Sequence, residues 1–82
     1  MIMKVTVKRK VPAVPVEIYS EYIKLQDAMK FASIVATGGE AKQLILDENV
    51  TVNGEICTMR GKKLYPGDRF SFDGTDYLIT KQ

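Results

Sequence analysis

Apolar residues recur at every second position in two runs near the start of the chain. The first run covers residues 3–8, MKVTVK, and the second covers residues 14–18, VPVEI. A period of two is that of a β-strand with one buried face. Pro12 and Pro15 each remove a backbone donor, so we expect this N-terminal region to form a sheet edge or a bend rather than a central strand.

After residue 24 the period becomes helical. Apolar residues then fall at i, i+3, i+4, i+7 and i+10, namely Leu25, Ala28, Met29, Ala32 and Val35. Such a stripe predicts an amphipathic helix with one buried face. Met29 and Phe31 are interpreted as core residues rather than as part of a ligand site.

A second helix is predicted to follow Thr37. Thr37 and Glu40 have the spacing of a capping box, in which the hydroxyl accepts from an early helical amide and the glutamate reaches back to the cap amide. Three apolar residues form its buried face: Ala41, Leu44 and Ile45. Lys42 and Gln43 are left for solvent or a partner.

The glycine pair at the start of this helix has two interpretations. Gly38 and Gly39 can serve a tight turn between the helices, or they can let backbone amides approach an anion at the positive end of the helix dipole. The turn is preferred at Gly39. Both interpretations stay open at Gly38. The signal for an anion site is weak alone, because the full phosphate-loop pattern is absent.

The second half of the chain predicts short strands joined by turns. Asn53-Gly54 and Asp73-Gly74 are hairpin signals, and Pro66-Gly67-Asp68 is a turn. The predicted strands cover residues 50–52, 55–59, 69–72 and 75–80. The residues expected in the core are Leu64, Tyr65, Phe70, Phe72, Tyr77 and Ile79. We therefore predict an α+β fold: two short helices on one side of a small, mostly antiparallel sheet, with an added N-terminal strand region.

With 82 residues the chain is expected to form a single domain. We divide it into an N-terminal strand extension at 1–23, a core at 24–72 and a C-terminal hairpin strand at 73–82. Cys57 is the only cysteine, so no internal disulfide is possible, and it is expected within a strand as an inert thiol. The chain has no histidine to activate that thiol.

The sequence predicts that this protein is not an enzyme. No spacing of acid, base and pocket suggests a catalytic site, and we expect no metal site and no cofactor. No apolar run reaches the ~20 residues of a membrane helix and no secretory signal is visible, so we expect a cytoplasmic protein without a membrane partner.

The global charge supports a polyanion partner only weakly. The net charge is +2 and the sequence pI is about 8.7, below the range typical of nucleic-acid binders. The densest positive segment contains Arg60, Lys62 and Lys63 within four residues. A second run, at residues 8–10, is either a phosphate-binding arm or a solvated edge, and the edge is the preferred interpretation.

Four segments occur in an order and spacing that resemble the S-four RNA-binding domain family: LQDAMKFA, TGGEAK, VTVNGE and RGKKLYPGD. The resemblance spans roughly residues 24–72 and is closest to small stand-alone bacterial members of the YaaA type. It implies an αL motif, two helices packed on a small sheet, that binds structured RNA.

The resemblance also implies where RNA would bind. Lys24 stands where the family usually has an arginine, Lys42 matches a basic position on the second helix, and Asn53 lies in the hairpin at the edge of the RNA-facing surface. Two residues depart from the pattern. Gly38 replaces an arginine that many members have, and Glu48 stands where glycine is common.

We therefore expect a non-catalytic module that recognises ribosomal RNA, a ribosomal subunit or transfer RNA. The expected RNA-binding residues are Lys24, Lys30, Thr37, Gly38, Lys42, Gln43, Asn53, Arg60, Lys62 and Lys63. Gln43 and Asn53 are the expected polar readers among them. The alternative is a protein-interaction module that docks the same helix pair on a partner protein, for example in ribosome assembly. The modest net charge and Gly38 both favour that alternative.

Overall fold

A computed structural model describes residues 13–82. The chain forms, in order, β1 (Val14–Ile18), β2 (Ile23–Lys24), α1 (Leu25–Phe31), α2 (Gly38–Leu46), β3 (Val50–Val52), β4 (Glu55–Ile56), β5 (Lys63–Leu64), β6 (Arg69–Phe72) and β7 (Thr75–Lys81). The predicted strand at residues 3–8 and the basic run at residues 8–10 lie outside the described residues.

The strands form two sheets. Five strands run in the order β1-β7-β6-β3-β4, and every pairing is antiparallel except that of β1 with β7. β1 therefore lies at an edge, in agreement with Pro15 in its sequence. β2 and β5 pair separately as a two-stranded antiparallel ribbon. The predicted α+β class and mostly antiparallel sheet are confirmed.

The core lies where the helices meet the five-stranded sheet. α1 buries Leu25, Ala28 and Met29, and α2 buries Ala41 and Ile45. These side chains belong to one cluster with the buried sheet residues Val16, Ile18, Val50, Val52, Phe70 and Ile79, and with Leu64 of the ribbon. Both predicted helical stripes thus face the core, as expected for amphipathic helices on one side of a sheet.

Left-handed residues end both helices. Ser33 follows α1 with φ 62°, and Glu48 follows α2 with φ 64°. After α1, the Ser33 amide donates to the Lys30 carbonyl and the Ile34 amide donates to the Met29 carbonyl, both at 3.0 Å. After α2, the Glu48 amide donates to the Ile45 carbonyl and the Asn49 amide donates to the Leu44 carbonyl, both at 3.1 Å. Each pair of hydrogen bonds forms a Schellman motif. α1 therefore ends before Ala32 and Val35, which still pack against the core as partly buried residues.

The predicted turns have the expected backbone. Asn53 and Gly54 have φ values of 50° and 89°, which is the requirement of a type I′ turn, and β3 and β4 pair directly on either side of them. The returning strand β4 ends at Ile56, whereas the predicted strand continues to residue 59. Cys57 therefore follows the strand, with a half-buried side chain.

Two residues predicted in the core are exposed. Phe31 is 58% exposed, because six helical steps of 100° place it about 240° around α1 from the buried Leu25. Tyr65 is 44% exposed, because it follows the buried Leu64 in an alternating segment and therefore points to the opposite face. Both predictions were wrong.

Candidate nucleic-acid interface

The β2/β5 ribbon holds the basic loop, residues 60–63, against the start of α1. Its antiparallel register places Ile23 opposite Leu64 and Lys24 opposite Lys63. The side chain of Lys24, at the N-cap of α1, makes no capping hydrogen bond. Instead, the Leu25 amide donates to the Lys62 carbonyl at 2.8 Å and the Gln26 amide donates to the Arg60 carbonyl at 3.1 Å. Backbone carbonyls of the loop thus satisfy amides that a helix start leaves free.

This arrangement places the backbones of four cationic residues at the start of α1. Lys24, Arg60, Lys62 and Lys63, which we call the basic cluster, all have exposed side chains. The ion pairs within residues 13–82 are Lys30 with Asp27 and Arg69 with Asp76, so no carboxylate of this region neutralises the basic cluster.

The position of the basic cluster is electrostatically unfavourable for the protein alone. Like charges directly opposite one another in a ribbon are destabilising, as with Lys24 and Lys63. Lys24 also stands at the N-terminus of α1, where the helix dipole disfavours a cation. A bound anion would relieve both repulsions, so this arrangement is better suited to binding than to stability.

The other two predicted cations lie on the helices. Lys30 is in the last turn of α1, and its Nζ is 3.6 Å from Asp27 Oδ1. Both side chains are more than 40% exposed, so this surface pair is weak and the lysine can exchange Asp27 for a phosphate. Lys42 is exposed on α2. Among residues 13–82, no hydrogen bond or ion pair connects either lysine to the basic cluster.

The predicted capping box is present at the start of α2. The Glu40 amide donates to Thr37 Oγ1 at 3.2 Å, while Glu40 Oε1 accepts from the amides of Ala36 at 2.7 Å and Thr37 at 3.3 Å. The protein's own carboxylate thus occupies part of the space that an anion would use near this terminus.

The glycine pair does not serve a left-handed turn. Neither Gly38 nor Gly39 has a positive φ, and a Cβ atom built on Gly38 would meet no atom within 4 Å. A Cβ atom therefore fits at Gly38 without displacing its neighbours.

The two predicted polar readers already make internal hydrogen bonds. Gln43 Nε2 lies 3.1 Å from each carboxylate oxygen of Asp47, which leaves the amide oxygen of Gln43 free to accept. Asn53 Nδ2 donates to Asp68 Oδ1 at 3.3 Å, and Asn53 Oδ1 accepts from the Arg69 amide at 3.0 Å. Asn53 retains one amide hydrogen and one lone pair for a ligand.

Two tyrosines that are not among the predicted RNA-binding residues lie next to the basic cluster. The ring centroids of Tyr22 and Tyr65 are 5.7 Å apart, and Lys63 Nζ lies 4.9 Å from the centroid of the Tyr22 ring. The signal in the sequence is the alternation of Tyr22-Ile23-Lys24 and Lys63-Leu64-Tyr65. Reading it correctly requires knowing that these two segments pair.

Residues 13–82 contain no group of three or more His, Cys, Asp or Glu side chains arranged to hold a metal ion. Within the same range, no helix has the length and apolar character to cross a membrane.

Comparisons with known proteins agree with this fold. The family model described as S4 domain matches residues 16–80. The chain therefore belongs to the S4 domain family, which is the S-four family that the sequence resembles.

A relative and a solved structure extend the comparison. The chain is 39% identical over 60 residues to the probable ribosome maturation protein RlbA of Bacillus subtilis (strain 168), a match that covers 73% of this chain and 84% of that protein. The solution structure of YbcJ from E. coli, described as revealing an αL motif involved in RNA-binding, superimposes with a TM-score of 0.64 at 22% identity. That match covers 94% of this chain and 99% of YbcJ, and it confirms the predicted fold.

Proposed function

We propose that this protein is a non-enzymatic RNA-binding module that binds structured RNA, with ribosomal RNA in a maturing ribosomal subunit as the first candidate and transfer RNA as the second. The single observation that carries the proposal is the basic cluster: four exposed cationic residues in the ribbon and its adjoining loop, with no carboxylate partner among residues 13–82. The similarity to a ribosome maturation protein supports the ribosomal target and a cytoplasmic location.

Binding would rest on phosphate neutralisation by a preorganised surface. The loop carbonyls of Arg60 and Lys62 are hydrogen-bonded to the start of α1, so the loop backbone is already ordered before RNA arrives. Little backbone entropy of this loop is then lost on binding, although the lysine and arginine side chains still become ordered. Double-stranded RNA presents phosphates, 2′-hydroxyls and overall shape rather than readable base edges, so we expect modest sequence specificity.

The helix pair would extend this surface. Lys30 and Lys42 add two cations to the four of the basic cluster, and Thr37, Gly38, Gln43 and Asn53 add polar groups. The remaining acceptor of Gln43 suits a 2′-hydroxyl, and the remaining amide hydrogen of Asn53 suits a phosphate or a base acceptor. The basic cluster provides most of the affinity, and the polar groups orient the RNA.

Charge reversal tests this surface. Changing Lys42→Glu together with Lys63→Glu is expected to weaken RNA binding about a hundredfold or more, because two charge-assisted contacts are lost and two repulsions appear. Both side chains are exposed, so the melting temperature and circular dichroism spectrum should stay near those of the parent. Titration against ribosomal RNA and transfer RNA at fixed salt provides the measurement.

Single variants supply the matched controls. Lys81→Glu, on β7 of the five-stranded sheet, changes the net charge by the same amount as Lys63→Glu and should retain RNA binding. Lys63→Arg keeps the charge and should also retain it. A folded double variant with the parent's affinity would show that the RNA surface lies elsewhere.

A protein partner is the second candidate. Ile34, Val35 and Leu44 line an open cavity of about 350 Å³ beside the helices, and Phe31 is exposed at the end of α1. These apolar groups suit a partner protein better than they suit RNA. Absence of RNA crosslinked to this protein in cells, with a ribosomal protein recovered in its place, would favour that function.

A further inference from the structure

The outer face of the ribbon combines two aromatic rings with two cations. In the register of β2 and β5, Ile23 and Leu64 turn inward, and Leu64 is fully buried. Alternation along each strand then directs Tyr22 and Lys24 of one segment to the same side as Lys63 and Tyr65 of the other. The distances agree: the tyrosine rings are 5.7 Å apart, and Lys63 Nζ is 4.9 Å from the Tyr22 ring.

Hydrogen bonds with Asp68 fix the backbone of Tyr65. Its amide donates to Asp68 Oδ2 at 2.8 Å, and its carbonyl accepts from the Asp68 amide at 2.8 Å. Asp68 in turn accepts from Asn53 Nδ2. The backbone of Tyr65 is therefore tied to the β3–β4 hairpin, while 44% of the residue is exposed to solvent.

Internal packing accounts for only part of this face. Tyr65 contacts the Tyr22 ring at a tilt of 48°, a favourable arrangement for an aromatic pair, yet 44% of Tyr65 remains exposed to solvent. Lys24 and Lys63 repel each other across the ribbon, and no carboxylate of residues 13–82 pairs with them. The face offers an accessible ring and unneutralised positive charge together.

From this juxtaposition we infer that the outer face of the ribbon is a stacking platform for one unpaired nucleobase of the bound RNA. The base would stack on Tyr65, and Lys24 and Lys63 would contact the phosphates that flank it. An aromatic side chain accepts the face of any base, and adjacent cations hold the backbone, which is how proteins bind unstacked nucleotides. This inference rests on the proposed RNA-binding function and adds that the preferred RNA contains a bulge or loop.

The test uses a series of short RNA hairpins in which a single bulged adenine is placed at each position of the stem in turn. Each hairpin is compared with the same RNA carrying an abasic site at the bulge. The parent protein should prefer the adenine bulge at its best position by about five- to tenfold. This is the lower part of the range for base–aromatic stacking, because the Tyr65 ring is only partly exposed.

Three variants distinguish a loss of base stacking from a loss of folding and from a general loss of RNA affinity. Tyr65→Leu keeps an apolar contact with Tyr22 but removes the aromatic face, so it should bind the two RNAs equally. Tyr65→Phe should retain the preference. Tyr19→Ala removes a tyrosine that is 75% exposed outside the ribbon, and it should leave the preference unchanged. Melting temperatures verify that each variant is folded.

The outcomes distinguish this inference from the function on which it rests. If the parent binds adenine-bulged and abasic hairpins equally at every position, the platform is refuted while RNA binding stands. If Tyr65→Leu keeps the preference, the base stacks elsewhere. If the parent binds none of the hairpins, ribosomal RNA or transfer RNA, the proposed function fails and the platform fails with it.

Discussion

Glu48 shows how a single residue explains a departure from the family pattern. The sequence resemblance implies that glycine is common here, and Glu48 adopts φ 64° as the left-handed residue that ends α2. A residue with a Cβ atom pays roughly 1–2 kcal/mol for this conformation, whereas glycine does not. The preference for glycine therefore has a structural cause at this position, independent of RNA contact.

We predict that Glu48→Gly stabilises the protein by about 0.5–1 kcal/mol. Relief of the left-handed conformation is partly offset by the greater entropy of glycine in the unfolded chain. Urea denaturation measures the change. Ser33→Gly, at the equivalent position after α1 with φ 62°, is the matched comparison and should act in the same direction. A loss of stability in both variants would contradict this account of the helix ends.

At the scale of an element, substitutions at Gly38 allow the stability of α2 and the affinity for RNA to be tested separately. It is the first residue of α2, its φ is not left-handed, and space is open around a Cβ atom at this position. A side chain can therefore begin at this position without a clash at its Cβ atom. An arginine there would lie at the start of the helix that also carries Lys42 and Gln43.

We predict that Gly38→Arg tightens RNA binding by about tenfold, because one charge-assisted phosphate contact is added. Gly38→Ala is the control: it should raise the melting temperature through better helix propensity and leave RNA affinity unchanged. Gly38→Arg should gain less stability than Gly38→Ala, because a cation at a helix N-terminus is unfavourable. Equal RNA affinity of the arginine and alanine variants would argue that the start of α2 does not face RNA.

Also at this scale, the elements with a clear local signal were predicted and those without one were not. The stripe from Leu25, the capping box at Thr37 and the Asn53-Gly54 turn each depend on residues within a few positions of one another. The β2/β5 ribbon has strands of two residues, too short to show a period. Its partners are about 40 positions apart, so only tertiary packing brings Tyr22 close to Tyr65.

At the scale of the whole molecule, the charge is distributed more favourably for RNA than the net value suggests. The +2 total is small, but the two ion-paired carboxylates of residues 13–82, Asp27 and Asp76, contact Lys30 and Arg69 rather than the basic cluster. The candidate cations were predicted from composition and from the family resemblance. Their convergence depends on the loop carbonyls that cap α1, and no side-chain pattern indicates that contact.

The measurement that tests the central claim most directly is the salt dependence of RNA binding by the parent protein. Each phosphate contact contributes about 0.7 to 0.9 to the negative slope of log affinity against log salt. The basic cluster alone then predicts a slope of about −3 to −4, and the addition of Lys30 and Lys42 predicts about −4 to −5. A slope in this range supports phosphate binding by the basic cluster. A flat response, or no binding to ribosomal RNA at low salt, would contradict it.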